Sequence, residues 1–98
     1  MKEIRFEWDE NKNTINQQKH GVSFQEAQTV FFDSAALLMP DPIHSEYEDR
    51  FVILGISKQT HILVVCHCYR ENDEVIRIIS ARKANKSETN QYNERLWE

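Results

Sequence analysis

Residues 50–84 read "RFVILGISKQTHILVVCHCYRENDEVIRIISARKA", and this stretch decides the architecture. It holds three apolar runs, "RFVILGI" (50–56), "HILVVCHCY" (61–69) and "VIRIISA" (75–81), rich in the β-branched residues that suit strands. Only "SKQT" and "RENDE" separate them. Turns that short return each strand against its predecessor, so the stretch predicts an antiparallel meander. Upstream, "AALLM" (35–39) is another short apolar run, ended where Pro40 and Pro42 stop regular structure. Near the start, "IRFEW" alternates Ile4, Phe6 and Trp8 with charged residues, the period-two pattern of a half-buried strand.

Two helical segments lie between these strands. Asp9 offers an N-cap for "ENKNTINQQKH", and Gly21 supplies a stop. Ile15 is the only aliphatic residue in that segment, so a few contacts must hold it or it lies at a rim. "SFQE" (23–26) has capping-box spacing, with Ser23 as N-cap and Glu26 at N3. The helix that follows places Phe24, Ala27, Val30 and Phe31 on one stripe able to cover a sheet. The terminal "NKSETNQYNERLWE" predicts a last helix, capped by Asn85 or Ser87. The expected fold is α+β: an antiparallel sheet of an N-terminal strand plus a meander, two helices packed on it, and a C-terminal helix. With 98 residues the chain reads as one domain, 1–98, burying roughly two-thirds of its unfolded surface.

Composition narrows the function classes. Hydrophobic residues at 40% and charged residues at 29% match an ordinary globular protein. The opening residues hold no apolar leader core, and no apolar run approaches the ~20 residues of a membrane span, so a cytoplasmic protein without membrane contact is expected. Cys66 and Cys68, two apart on a strand, share a face but cannot close a disulfide with each other, which predicts reduced thiols. His67 between them points the other way, so neither a metal site nor a cofactor is expected.

The net charge of −4 argues against a general nucleic-acid coat. Yet Arg77, Arg82, Lys83 and Lys86 fall within ten residues that contain no acid, a local +4 against −8 elsewhere. That suits a focused anion site at the junction of strand and helix, where backbone N–H groups add to side-chain cations. The plainer reading of Arg77 is a solvent-facing arginine lying along apolar neighbours. On strict alternation Arg77 shares a face with Val75, Ile79 and Ala81, and Arg82 leaves it. The cations can act together only if the strand bends, bulges or ends before residue 82. "HSEYEDR" (44–50) adds His44, Glu46, Glu48 and Arg50, a histidine with carboxylates able to orient it or share acid–base work. His20, before Gly21, suits a helix C-terminus as a cation and is a further candidate. No carboxylate spacing marks a divalent ion, so any phosphodiester cleavage would use an RNA 2′-hydroxyl, a base, an acid and cations.

"FEWDENKN…KHGVSFQEA", "DPIHSEYEDR", "RIISARKA" and a late "Y-N-E" together resemble the BrnT family, the toxin half of BrnT/BrnA-type toxin–antitoxin systems. The resemblance implies a small RelE-like ribonuclease that inhibits translation and is neutralised by a cognate BrnA-like antitoxin. It also implies a complex that represses its own operon, the antitoxin supplying the DNA contact. By motif it points to His20, His44, Glu48, Arg50, Arg77 and Arg82 as catalytic candidates. Lys83 and Lys86 join Arg77 and Arg82 as phosphate-binding candidates, and Tyr92 belongs to the terminal-helix pattern. Lys83 stands where many relatives would carry arginine, keeping charge but losing the two-pronged fork. The alternative is a non-catalytic protein whose cations and terminal helix chiefly bind an antitoxin.

Overall fold

The two longest strands, β4 (Ile62–Arg70) and β5 (Val75–Lys83), form the spine of a computed structural model that describes residues 3–96. Before them come β1 (Arg5–Glu7), α1 (Glu10–His20), α2 (Phe24–Thr29) with a 3₁₀ turn (Val30–Phe32), β2 (Leu37–Pro40), a second 3₁₀ turn (Pro42–His44) and β3 (Phe51–Ile56). The last element is α3 (Lys86–Arg95). The strands make one sheet in the order β1-β5-β4-β3-β2.

Strands β2 to β5 are the expected antiparallel meander, but the sheet is mixed, not antiparallel throughout. β1 runs parallel to β5, with Arg5 opposite Val75 and Glu7 opposite Arg77. The reason is that a period-two pattern reports which side of a strand is buried, not which way it runs. Short turns dictate direction within the meander, whereas β1 joins it through a helical crossover that leaves direction free.

On one face Val22, Phe24, Ala27 and Val30 from the helical segment meet Ile53, Leu63, Val65, Ile78 and Ala81 from the sheet. His67 is fully buried on this side, its Nδ1–H donating to the Val65 carbonyl (3.1 Å) and its ring edge-on to Phe31. Burial holds that imidazole below its ordinary pKa, and so neutral.

Polar α1 is fixed by buried asparagines. Asn16 donates to the carbonyls of Val22 and Ala81 (both 2.8 Å) and accepts from the Ala81 N–H (3.1 Å). Among the described residues β1 pairs with residues 75–77 of β5, so the Asn16 amide stands in for a strand further along that edge. Asn13 accepts from the Phe24 N–H (2.9 Å) and ties α1 to the start of α2. These bonds set where α1 ends.

The β4–β5 register slips once: Cys66 faces Ser80, but His67 faces Ile78. Ile79 is therefore an extra residue, a β-bulge that reverses the side-chain phase beyond it. Ile78 and Ala81 both point into the core as a result, and strict alternation is overturned. Ser80 and Arg82 turn to the face that Arg77 occupies. Cys66 and Cys68 are free thiols. Among the described residues no helix is long and apolar enough to cross a membrane.

Candidate active site

On the side of the sheet away from the main core, a cleft of about 220 Å³ is lined by His20, Asp41, His44, Arg50, Ser80 and Arg82, with Val52, Val64 and Cys66 among its other walls. Four separate pieces of chain deliver these groups. His20 is the last residue of α1, which the Asn16–Ala81 bonds hold against β5. Gly21 then leaves the helix at φ 68°, the left-handed conformation that stops it there.

His44 and Arg50 come from one closed loop. Pro42 opens its 3₁₀ turn, and the Asp41 N–H donates to the Arg50 carbonyl (2.8 Å). The Ser45 hydroxyl donates to the Asp41 carbonyl (2.7 Å) and accepts from the Arg50 N–H (2.9 Å). His44 Nδ1 lies 2.8 Å from Asp41 Oδ2. The Nε of Arg50 is buried without a hydrogen-bond partner among the described residues, and Glu48 Oε1 lies 3.6 Å from it.

Arg82 reaches the cleft because of the bulge at Ile79. Its two terminal nitrogens donate to both oxygens of Glu88 (2.7 and 2.8 Å). Glu88 is also the N3 residue of the α3 capping box, accepting from the Asn85 N–H (2.9 Å) while Asn85 Oδ1 accepts from the Glu88 N–H (2.8 Å). The hydrogen bond from Arg82, opposed by burial, holds the Glu88 carboxyl below the ordinary carboxylate range. Burial pushes the Cys66 thiol up, with Arg50 opposing and Asp41 reinforcing the shift, so this sulfur stays protonated near neutrality.

The structure thus brings His20, His44, Arg50 and Arg82 together and places the other candidates outside the cleft. Arg77 is ion-paired with Glu7 of β1 (2.7 Å). Glu48 lies between Arg50 and Arg70, 3.1 Å from Arg70. Lys83 ends β5 and Lys86 begins α3, both exposed. Tyr92 is buried, its hydroxyl donating to Asp33 Oδ2 (2.6 Å). Among the described residues no three His, Cys, Asp or Glu side chains gather as a metal-ligand set.

The family model for the ribonuclease toxin BrnT of type II toxin–antitoxin systems matches residues 8–88, a span that includes every group just named in the cleft. The chain belongs to the BrnT family. It is accordingly a ribonuclease toxin of a type II system, which implies an RNA substrate and an antitoxin partner. Among solved structures it is similar to the Brucella abortus ribonuclease toxin BrnT, at 25% sequence identity and a TM-score of 0.63, over 88% of this chain and 100% of that one. No curated protein matches.

Three groups of this BrnT site are not among the candidates read from the sequence: Asp41 and Ser80 in the cleft, and Glu88 behind Arg82. Asp41 opens the "DPIHSEYEDR" motif without being a candidate there, although "DPIH" spaces Asp and His at i, i+3 behind a turn-starting proline, a usable signal. Strict alternation puts Ser80 on the face opposite Arg77, and nothing local announces the bulge that moves it. Glu88 occupies a capping-box position that was readable, but its grip on Arg82 depends on where α3 sits.

Proposed function

We propose that this BrnT toxin is a metal-independent endoribonuclease that cleaves RNA through the RNA's own 2′-hydroxyl and so inhibits translation. The observation that carries this reading is the convergence of two histidines and two arginines, from three separate pieces of chain, on one cleft. His44 Nε2 takes the 2′-hydroxyl proton as that oxygen attacks the neighbouring phosphorus. Arg50 and Arg82 stabilise the charge that develops on the phosphorane oxygens. His20, as its imidazolium, gives a proton to the departing 5′-oxygen as the P–O5′ bond breaks. The products are a 2′,3′-cyclic phosphate and a 5′-hydroxyl.

Arg50 fits its role because its buried Nε makes no hydrogen bond among the described residues. Arg82 fits because a guanidinium has five N–H donors, of which Glu88 takes two and the Lys83 carbonyl a third (3.4 Å). Glu48 holds Arg50 and Arg70 in place, while Arg77, Lys83 and Lys86 lie where flanking phosphates would pass. Tyr92 acts at a distance by anchoring α3. On this reading residues 1–98 are one RelE-like toxin domain working in the cytoplasm. Its partner is a BrnA-like antitoxin, through which alone it meets operator DNA.

The test is cleavage of RNA by purified, antitoxin-free protein in excess EDTA, with a second substrate carrying a single 2′-deoxy at the cut site. Cleavage to a cyclic phosphate in EDTA, and none at the deoxy position, is expected. Loss of activity in chelator overturns the metal-free mechanism. A folded protein that neither cuts RNA nor arrests growth returns the chain to a purely antitoxin-binding role.

A further inference from the structure

The cleft contains one carboxylate for which the reaction scheme has no direct use, Asp41. We infer that Asp41 is a positioning residue, fixing His44 as the Nδ1–H tautomer and aiming its Nε2 at the RNA. This rests on the reading of His44 as the base. An ionised carboxylate only accepts hydrogen bonds, so His44 Nδ1, 2.8 Å from Asp41 Oδ2, must donate. In a neutral imidazole the other nitrogen is then the acceptor, the state a general base requires. Exposure is arranged to match: the Asp41 side chain is 16% exposed and that of His44 62%, so the anchoring end is shielded and the reactive ring is open.

Asp41 does not ride a loose segment. Its N–H reaches the Arg50 carbonyl at 2.8 Å, and its carbonyl accepts from the His44 N–H (3.2 Å) and the Ser45 hydroxyl (2.7 Å). The same loop therefore sets the histidine and Arg50 relative to each other, with Asp41 at the crossing point. A single side-chain contact with one partner this exposed contributes little to stability. A large kinetic effect of removing the charge would therefore report orientation, not folding.

The experiment compares the full-length protein with Asp41→Asn, which keeps the side-chain shape. Nitrogen-resolved NMR of the imidazole, at a pH where His44 is neutral, reads the tautomer, and initial rates on RNA separate kcat from KM. The wild type should show His44 as Nδ1–H. Asp41→Asn should shift it toward Nε2–H and lower kcat by ~10²-fold with KM changed by no more than about twofold. Asp41→Glu should restore part of the rate. A wild-type His44 found in the Nε2–H form, or an Asp41→Asn enzyme with unchanged kcat or with only KM raised, overturns the inference. Full activity in His44→Ala would instead overturn the base assignment while leaving the tautomer measurement standing, so the two failures are distinguishable.

Discussion

Arg82 meets the cleft already oriented, because both oxygens of Glu88 grip its terminal nitrogens and Glu88 is itself pinned in the α3 cap. A lysine at this position keeps the charge but cannot hold that two-point geometry. Arg82→Lys should therefore cost about tenfold or more in kcat, and Arg82→Ala ~10²–10³-fold, the usual loss when one transition-state donor is removed; single-turnover cleavage rates check both. Gly55 carries a different kind of constraint. A Cβ there would sit 2.9 Å from Ala36 Cβ, 2.9 Å from Val30 Cγ1 and 3.0 Å from Asp33 Oδ2. Gly55→Ala should destabilise the protein by ~1–3 kcal/mol through overpacking, read as a lower urea midpoint at constant slope. The sequence announced Gly55 only as one more residue in an apolar run, since the atoms that crowd it come from the segment before β2.

At the scale of elements, α1 shows how a nearly wholly polar helix earns its place. Its cap and stop, Asp9 and Gly21, were legible from residue type, and both act as expected. Its anchorage was not legible, because an asparagine looks the same in sequence whether it is solvated or bonded to a strand edge. Asn16→Leu would leave the Ala81 N–H and the carbonyls of Ala81 and Val22 without that partner in a buried place. At ~1–3 kcal/mol per unsatisfied group the loss should be about 3 kcal/mol or more, measurable by thermal or urea unfolding. The loss should also free the end of α1, so the same variant should lower activity through a displaced His20. The bulge in β5 makes the complementary point. Ile79 is one unremarkable apolar residue among others, yet its extra length puts Ala81 in the core and Arg82 in the cleft. Deleting Ile79 would remove the bulge yet leave Ser80, Ala81 and Arg82 on the faces they now occupy, so the variant should still unfold cooperatively in urea.

For the molecule as a whole, pH should act through the contact that ties α3 to the body. Burial first, and Asp33 second, push the Tyr92 phenol up to about 12. Because the folded value lies above the ordinary ~10, this stability is complete below about pH 10 and is lost as pH climbs through 12. Tyr92→Phe should cost ~1–2 kcal/mol at neutral pH and flatten the alkaline fall of the melting temperature, followed by circular dichroism between pH 9 and 12 by way of ~1-unit steps. Charge sets a second property. An acidic body with a small cationic site should engage few phosphates, so RNA affinity should fall with salt at a log–log slope of about −2, as for roughly three contacts to a single strand. A much steeper slope would mean a broader footprint than the cleft. The sequence by itself determined the strand and helix segments, the meander and the residue types available for chemistry, because these follow from local periodicity, caps and short turns. Only the tertiary structure decided the parallel docking of β1, the phase reversal at Ile79 and the union of His20, Asp41, His44, Arg50 and Arg82 in one cleft. Those depend on register and on contacts between segments far apart in the chain, for which no local pattern of residues carries the information.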